Sequence, residues 1–212
     1  ILKAGRWTVG HRFVLFVILA ALVLDSVARQ FVVLASEYYR IIDIPVSLFG
    51  FIGAGISLVS IANARLSRML VMNKTPLFNL CVIALILLTG LAGASLALPI
   101  VGLVFAVAVF GVMGMVQFQS SYYLNRMADS KLRATVLSFR GLALNLGLGT
   151  ASLFYTALVA RLRAGSPEAG GELIFVDALT AFPLYFLVLF FCLVAAARLW
   201  VGERQAFVQV GG

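Results

Sequence analysis

Six apolar runs separated by short polar stretches organise this chain. They extend from about Phe13 to Ala35, Ser47 to Ala64, Leu77 to Leu98, Ile100 to Tyr123, Thr135 to Ala160 and Ala178 to Leu199. A helix needs about 20 mostly apolar residues to cross a hydrocarbon core roughly 30 Å thick, and each run is of that order. Runs such as CVIALILL lack the alternation of a barrel strand, so each predicts a helix that satisfies its own backbone in lipid. Pro45, Pro76 and Pro99 stand at the starts of the second, third and fourth runs, where a missing N–H costs least. Pro183 is expected one turn inside the last helix, bending it slightly near its entry. The expected fold class is an all-α membrane protein. Residues 13-200 form the six-helix transmembrane bundle, 1-12 a cytoplasmic linker or trimmed start, and 201-212 a cytoplasmic tail.

Composition removes water as the solvent. The 212 residues are 63% hydrophobic and 11% charged, with a mean hydropathy of +1.09, too few charges to cover a soluble domain of this size. Membrane lipid is therefore the first partner. The net charge of +8 would raise nucleic acid as a partner in a soluble protein, but here the basic residues cluster in the connections, and no nucleic-acid role is expected. Their distribution sets the orientation. Lys3, Arg6, Arg12, Arg65, Arg68, Lys74, Arg126, Lys131, Arg133, Arg140, Arg198 and Arg204 fall on one side, against Arg40, Arg161 and Arg163 on the other. Both termini are thus expected in the cytoplasm and the 161 to 177 loop outside, the expected location being the plasma membrane, the inner membrane of a bacterium. Trp7 and Trp200 fall at the inner boundary and Tyr38 and Tyr39 at the outer one, as an aromatic belt would place them. Cys81 and Cys192 lie inside apolar runs, where they are expected as small buried hydrophobes without a disulfide. The opening ILKAGRWTVGHR has neither the apolar core nor the cleavage site of a signal peptide.

Charged groups inside the apolar runs carry the strongest functional signal. Asp25 and Arg29 lie well within the first run, and each would cost about 2.5–3.5 kcal/mol at the bilayer centre. Their spacing of four puts them on one face, where two readings stand: a local ion pair that locks the helix, or a pair turned into a cavity to meet substrate or a proton. In the fourth run Gln117 and Ser121 share a face, with Ser120 beside them and Met113 one turn before, offering neutral hydrogen-bonding groups to a polar solute or to neighbouring helices. Asn63, Asn145 and Tyr155 are expected in packing or interface roles. Arg140 is expected as an anchor that snorkels to the cytoplasmic headgroups. Small residues mark close helix packing: Gly53 and Ser57 in a second run that also holds Gly50, Ala54 and Gly55, and Ala143, Gly147 and Ala151 at spacings of four in the fifth. His11 is the only histidine and sits at the inner boundary, so neither a metal site nor a cofactor is expected. With no nucleophile beside a base and no Gly-rich phosphate loop, the chain is not expected to be an enzyme or to use ATP.

Ser36-Glu37-Tyr38-Tyr39 at the end of the first run is echoed by Ser120-Ser121-Tyr122-Tyr123 at the end of the fourth. Read as a repeat rather than a chance echo, this would divide the chain into two three-helix units, the second inverted relative to the first. The connection NRMADSKLRATVLSF leads into the small-residue helix RGLALNLGLGTASLFY, and the basic turn ANARLSRMLVMNK joins the second and third runs. Together these resemble the C-terminal half of transporters of the major facilitator superfamily. The second stretch departs from the family's loop signature in lacking its Asp. The resemblance covers nearly the whole chain in hydropathy and loop spacing. It implies an inverted 3+3 repeat in which helices one and four line a central cavity, two and five face the other half, and three and six lie on the lipid side. It also implies secondary active transport of a small molecule or ion by alternating access. The partner would be a second six-helix half, in the same longer chain or in a homodimer. The alternative is a polytopic membrane protein that binds or assembles without transporting.

Overall fold

A computed structural model describes Thr8 and residues 10–200, apart from the side chain of Trp200. The readings placed on Lys3, Arg6, Trp7, Arg204, the Trp200 side chain and the 201-212 tail lie outside the described residues. Among the described residues from Arg12 to Trp200, seven α-helices follow one another: α1 (Arg12–Val33), α2 (Ala35–Ile41), α3 (Phe49–Asn73), α4 (Pro76–Ala94), α5 (Val101–Met127), α6 (Arg133–Gly165) and α7 (Gly171–Trp200). A 3-10 turn, Val46–Leu48, leads into α3. No strand occurs among the described residues. With that turn counted as part of the second, six helices among the described residues are long and apolar enough to cross a membrane. Their outward faces carry large apolar side chains such as Phe51 at 76% exposure and Leu153 at 74%. Such a surface belongs in lipid, so the chain is an integral membrane protein.

Helix ends depart from the hydropathy pattern for recognisable reasons. The second helix runs to Asn73, nine residues past the expected end at Ala64, because Leu66, Met69, Leu70 and Val71 continue between the basic residues. The stretch ANARLSRMLVMNK is thus mostly the last turns of α3 rather than a turn between helices. The third helix stops at Ala94, not Leu98, and Ser95 to Ile100 form the reversal into α5, with positive φ at Ala97 (51°) and Ile100 (57°). A single intervening proline could not span two antiparallel helices 8–10 Å apart. The sixth helix starts at Gly171 instead of Ala178, and α6 extends to Gly165. The expected outer loop shrinks to residues 166–170, and Arg161 and Arg163 lie on helix. Charges end a hydropathy window without ending a helix. Pro183 consequently sits at mid-length of α7, not near its entry.

The first helix is the axis of the bundle. α1 packs on α5, α6, α7 and α4, and its buried residues point to every side, with Val14, Val27, Ala28 and Phe31 fully enclosed. At its end the ladder continues through Leu34, whose N–H reaches the Gln30 and Phe31 carbonyls and whose carbonyl accepts from Tyr38, so α2 prolongs α1. Close approach between α4 and α5 depends on glycine. A methyl group at Gly93 would overlap the Phe105 ring, and one at Gly90 would come within 2.8 Å of Val109. Gly111 meets Asn63 of α3, and Gly102 meets the Tyr38 hydroxyl. The seam expected at Ala143, Gly147 and Ala151 closes within the chain, against α1: Gly147 faces Leu22 and Ser26, and Ala151 is 2% exposed. Gly50, Gly53 and Gly55, by contrast, face open space, and Ser57 donates to its own helix at the Gly53 carbonyl (3.0 Å). The second helix therefore makes no close approach through these residues inside this chain. Cys81 and Cys192 are free and both exposed, correcting the expectation that they are buried.

Two tyrosines hold α4 at its two ends. Near its start Asn79 donates from Nδ2 to the Tyr123 hydroxyl of α5 (2.6 Å), and at its end the Tyr38 hydroxyl of α2 donates to the Ala94 carbonyl (3.0 Å). Burial pushes the Tyr38 phenol up to about 12, so it remains a donor at any ordinary pH. Interhelical hydrogen bonds in lipid contribute about 0.6 kcal/mol on average, because the unfolded helices find other partners. Tyr123→Phe is accordingly expected to lower stability by about 0.6–1.7 kcal/mol, read as a small fall in melting temperature in detergent. A fall of several kcal/mol would mean that the Asn79 amide has no alternative partner.

Candidate functional site

The polar residues that the apolar runs could not explain converge where α1, α5 and α6 meet. Helix periodicity puts Asp25 and Arg29 on one face of α1, and they form an ion pair, Arg29 Nη2 to Asp25 Oδ2 at 2.5 Å. Asp25 is fully buried, whereas the Arg29 side chain keeps 21% exposure. The pair does not close on itself. Arg29 Nη1 donates to Asn145 Oδ1 of α6 (3.1 Å), and Gln117 of α5 donates from Nε2 to Asp25 Oδ1 (3.4 Å). Arg140 of α6 then donates from Nη1 to Ser120 Oγ and Ser121 Oγ (both 2.7 Å) and to the Gln117 carbonyl (3.3 Å). One continuous network thus joins all five expected pathway residues, Asp25, Arg29, Gln117, Ser120 and Ser121, with two others.

Those two were read differently from sequence. Arg140 does not snorkel to the headgroups: it turns inward and binds α5, because the serines and the Gln117 carbonyl give a half-buried guanidinium better acceptors than the lipid face offers. Asn145, expected in packing, accepts from a charged donor. Its signal was present, since Asn145 is five residues beyond Arg140 on a helix that must pack against α1, but spacing alone does not name the partner. One turn along α1, Gln30 is buried and accepts from Ser152 of α6 (2.6 Å). Met113 packs against the apolar core, and Asn63 lies against Gly111 away from the cluster. Tyr155 lines a separate cavity of about 240 Å³ with Glu37 and Arg163, and its ring meets Phe182.

Depth follows from helix rise. At 1.5 Å per residue Asp25 lies about 20 Å beyond Arg12 and Gln117 about 15 Å before Met127, which places both well inside a 30 Å core. The charge count is uneven, with two guanidinium groups to one carboxylate. Arg29 Nε and Arg140 Nε are buried and have no hydrogen-bond partner. Among the described residues no group of three His, Cys, Asp or Glu side chains could hold a metal ion. What the arrangement offers chemically is two guanidinium groups, one carboxylate and several neutral amide and hydroxyl groups, fixed on three helices. Comparison of the chain with protein-family models, with curated proteins and with solved structures found no match.

Proposed function

We propose that this chain is one half of a secondary active transporter of the major facilitator type, moving a small solute across the membrane by alternating access. The carrying observation is the polar network of Asp25, Arg29, Gln117, Ser120, Ser121, Arg140 and Asn145 at mid-depth between three apolar helices. Ionised groups at that depth are expensive, and they characteristically mark solute or ion pathways.

The packing pattern supports an inverted repeat. With α1 to α4 as one unit and α5 to α7 as the other, the first membrane helix of each unit packs on the second of the other: α1 on α6, and α5 on α3. The echoed tyrosines do not share that reciprocity: Tyr38 fastens one end of α4 within its own unit, and Tyr123 fastens the other end across the two units. The uncovered glycines of α3 support a second six-helix body lying against that helix, in a longer chain or a homodimer. Six crossings put the two ends of the bundle on one side, and the excess of Lys and Arg there supports reading that side as the cytoplasmic one, with a plasma membrane as the location. The rival reading, a membrane protein that binds or assembles without transporting, draws on the fact that Asp25 and Arg29 satisfy much of each other's charge.

Access to water separates the two. Gly114 stands one turn before Gln117 on the same helix face, and a methyl group there would meet nothing within 4 Å. Gly114→Cys, in a protein with Cys81 and Cys192 changed to Ala, is expected to react with a membrane-impermeant thiol reagent from either face of the membrane, tested on right-side-out and inverted vesicles. Reaction from neither face would indicate a closed scaffold. Reaction from one face only would indicate a fixed cavity and remove alternating access.

A further inference from the structure

We infer that the solute bound by the α1–α5–α6 network is a small anion, held by the guanidinium groups of Arg29 and Arg140. The inference rests on the transporter reading and deepens it by naming the substrate class of the same site. It starts from charge. Asp25 contributes one negative charge and the two arginines two positive ones. Among the described residues Asp25 is the only carboxylate paired with either. The cluster therefore carries a surplus positive charge at mid-depth in the bundle, where a charge without a counter-charge is costly.

Donor geometry points to the same ligand. Arg29 uses Nη2 on Asp25 and Nη1 on Asn145; Arg140 uses Nη1 on two serines and a carbonyl. Neither Nε–H has an acceptor, although both nitrogens are buried. A guanidinium presents its donors as a planar fork, and the acceptor that best fills an unused edge is an oxyanion, which can take two parallel N–H bonds. Arg140 is the more available of the two, because all its protein partners are neutral. Gln117 couples them, since its side chain donates to Asp25 while its carbonyl accepts from Arg140. A carboxylate-bearing solute entering beside Gln117 would supply the missing charge and the missing acceptors together. A neutral solute would supply acceptors without the charge, and a cationic one would add to the surplus.

The sign of the field at the site can be read without knowing the solute. In the Gly114→Cys protein, in membranes opened to reagent on both sides, labelling rates are compared for a sulfonate-bearing and a trimethylammonium-bearing methanethiosulfonate. Each rate is normalised to that reagent's rate with a free thiol. A site focused on anions is expected to favour the sulfonate reagent at least tenfold. Arg140→Gln should reduce the preference below threefold, and Arg140→Lys, which keeps the charge, should retain most of it. Arg29→Gln gives a second reading should Arg140→Gln fail to fold. Equal or faster reaction with the cationic reagent overturns the anion assignment while leaving the aqueous pathway intact. So does a sulfonate preference that survives both Gln variants. Failure of both reagents to react removes the pathway itself, and with it the transporter reading.

Discussion

Asp25→Ala is expected to lower stability by roughly 3–5 kcal/mol, the range for removing one partner of a buried ion pair. The carboxylate is fully buried and is shared by the Arg29 guanidinium and the Gln117 amide. Its removal leaves Arg29 held by Asn145 alone and raises the surplus positive charge of the cluster. The loss belongs to what remains behind more than to the pair's own net worth, and this gives the prediction a second arm. Asp25→Asn combined with Arg29→Gln removes both charges and should be more stable than Asp25→Ala, with a coupling of at least about 1 kcal/mol between the two positions. Denaturant unfolding in detergent micelles, followed for Asp25→Asn, Arg29→Gln and the double variant, measures that coupling. A loss below about 1 kcal/mol for Asp25→Ala would mean that water already solvates Arg29, a more open site than the packing around Asp25 indicates.

Number and type of the membrane helices were legible in the sequence because one strong effect decides them. A run of about 20 mostly apolar residues has few alternatives in lipid, and all six runs became helices. Boundaries were less legible. Hydropathy reports the edge of the hydrocarbon, whereas helices such as α3, α6 and α7 continue past charged residues for as long as the backbone ladder continues. Asp25 and Arg29 were visible for the same reason as the helices, since charge in an apolar run is conspicuous. Arg140 was visible but misread: at the edge of a run, a snorkelling arginine and one turned inward carry the same sequence signal, and only the serines across the interface separate them. Asn145 and Gln30 could not be assigned partners at all, because neutral amides cost too little in a membrane helix to demand one.

Small residues were ambiguous in a related way. Gly53 and Ser57 on α3 and Gly147 and Ala151 on α6 share the same spacing logic, yet only the second pair closes on a neighbour in this chain. Composition shows that a helix permits close approach, not which surface takes it up. The contact between α4 and α5 is made through Gly90 and Gly93, glycines that the strongly apolar character of their run masks.

That interface yields the second large effect. Gly93→Ala is expected to cost about 1–3 kcal/mol, because the new methyl overlaps the Phe105 ring and the two helices must part. Gly93→Leu should cost more, up to loss of folded protein on solubilisation. Phe105→Ala in the Gly93→Ala background should restore part of the loss by vacating the overlapped space, which ties the effect to that contact rather than to helix propensity. Gly53→Ala is the matched control, a glycine of a neighbouring helix with nothing within 4 Å, and its melting temperature should stay close to the parent's. If the uncovered face of α3 meets a second six-helix body, Gly53→Leu will weaken solute transport or association while leaving this bundle's own stability nearly unchanged. Equal losses at Gly53 and Gly93 would instead mean that α3 packs within this chain more closely than its open glycines indicate.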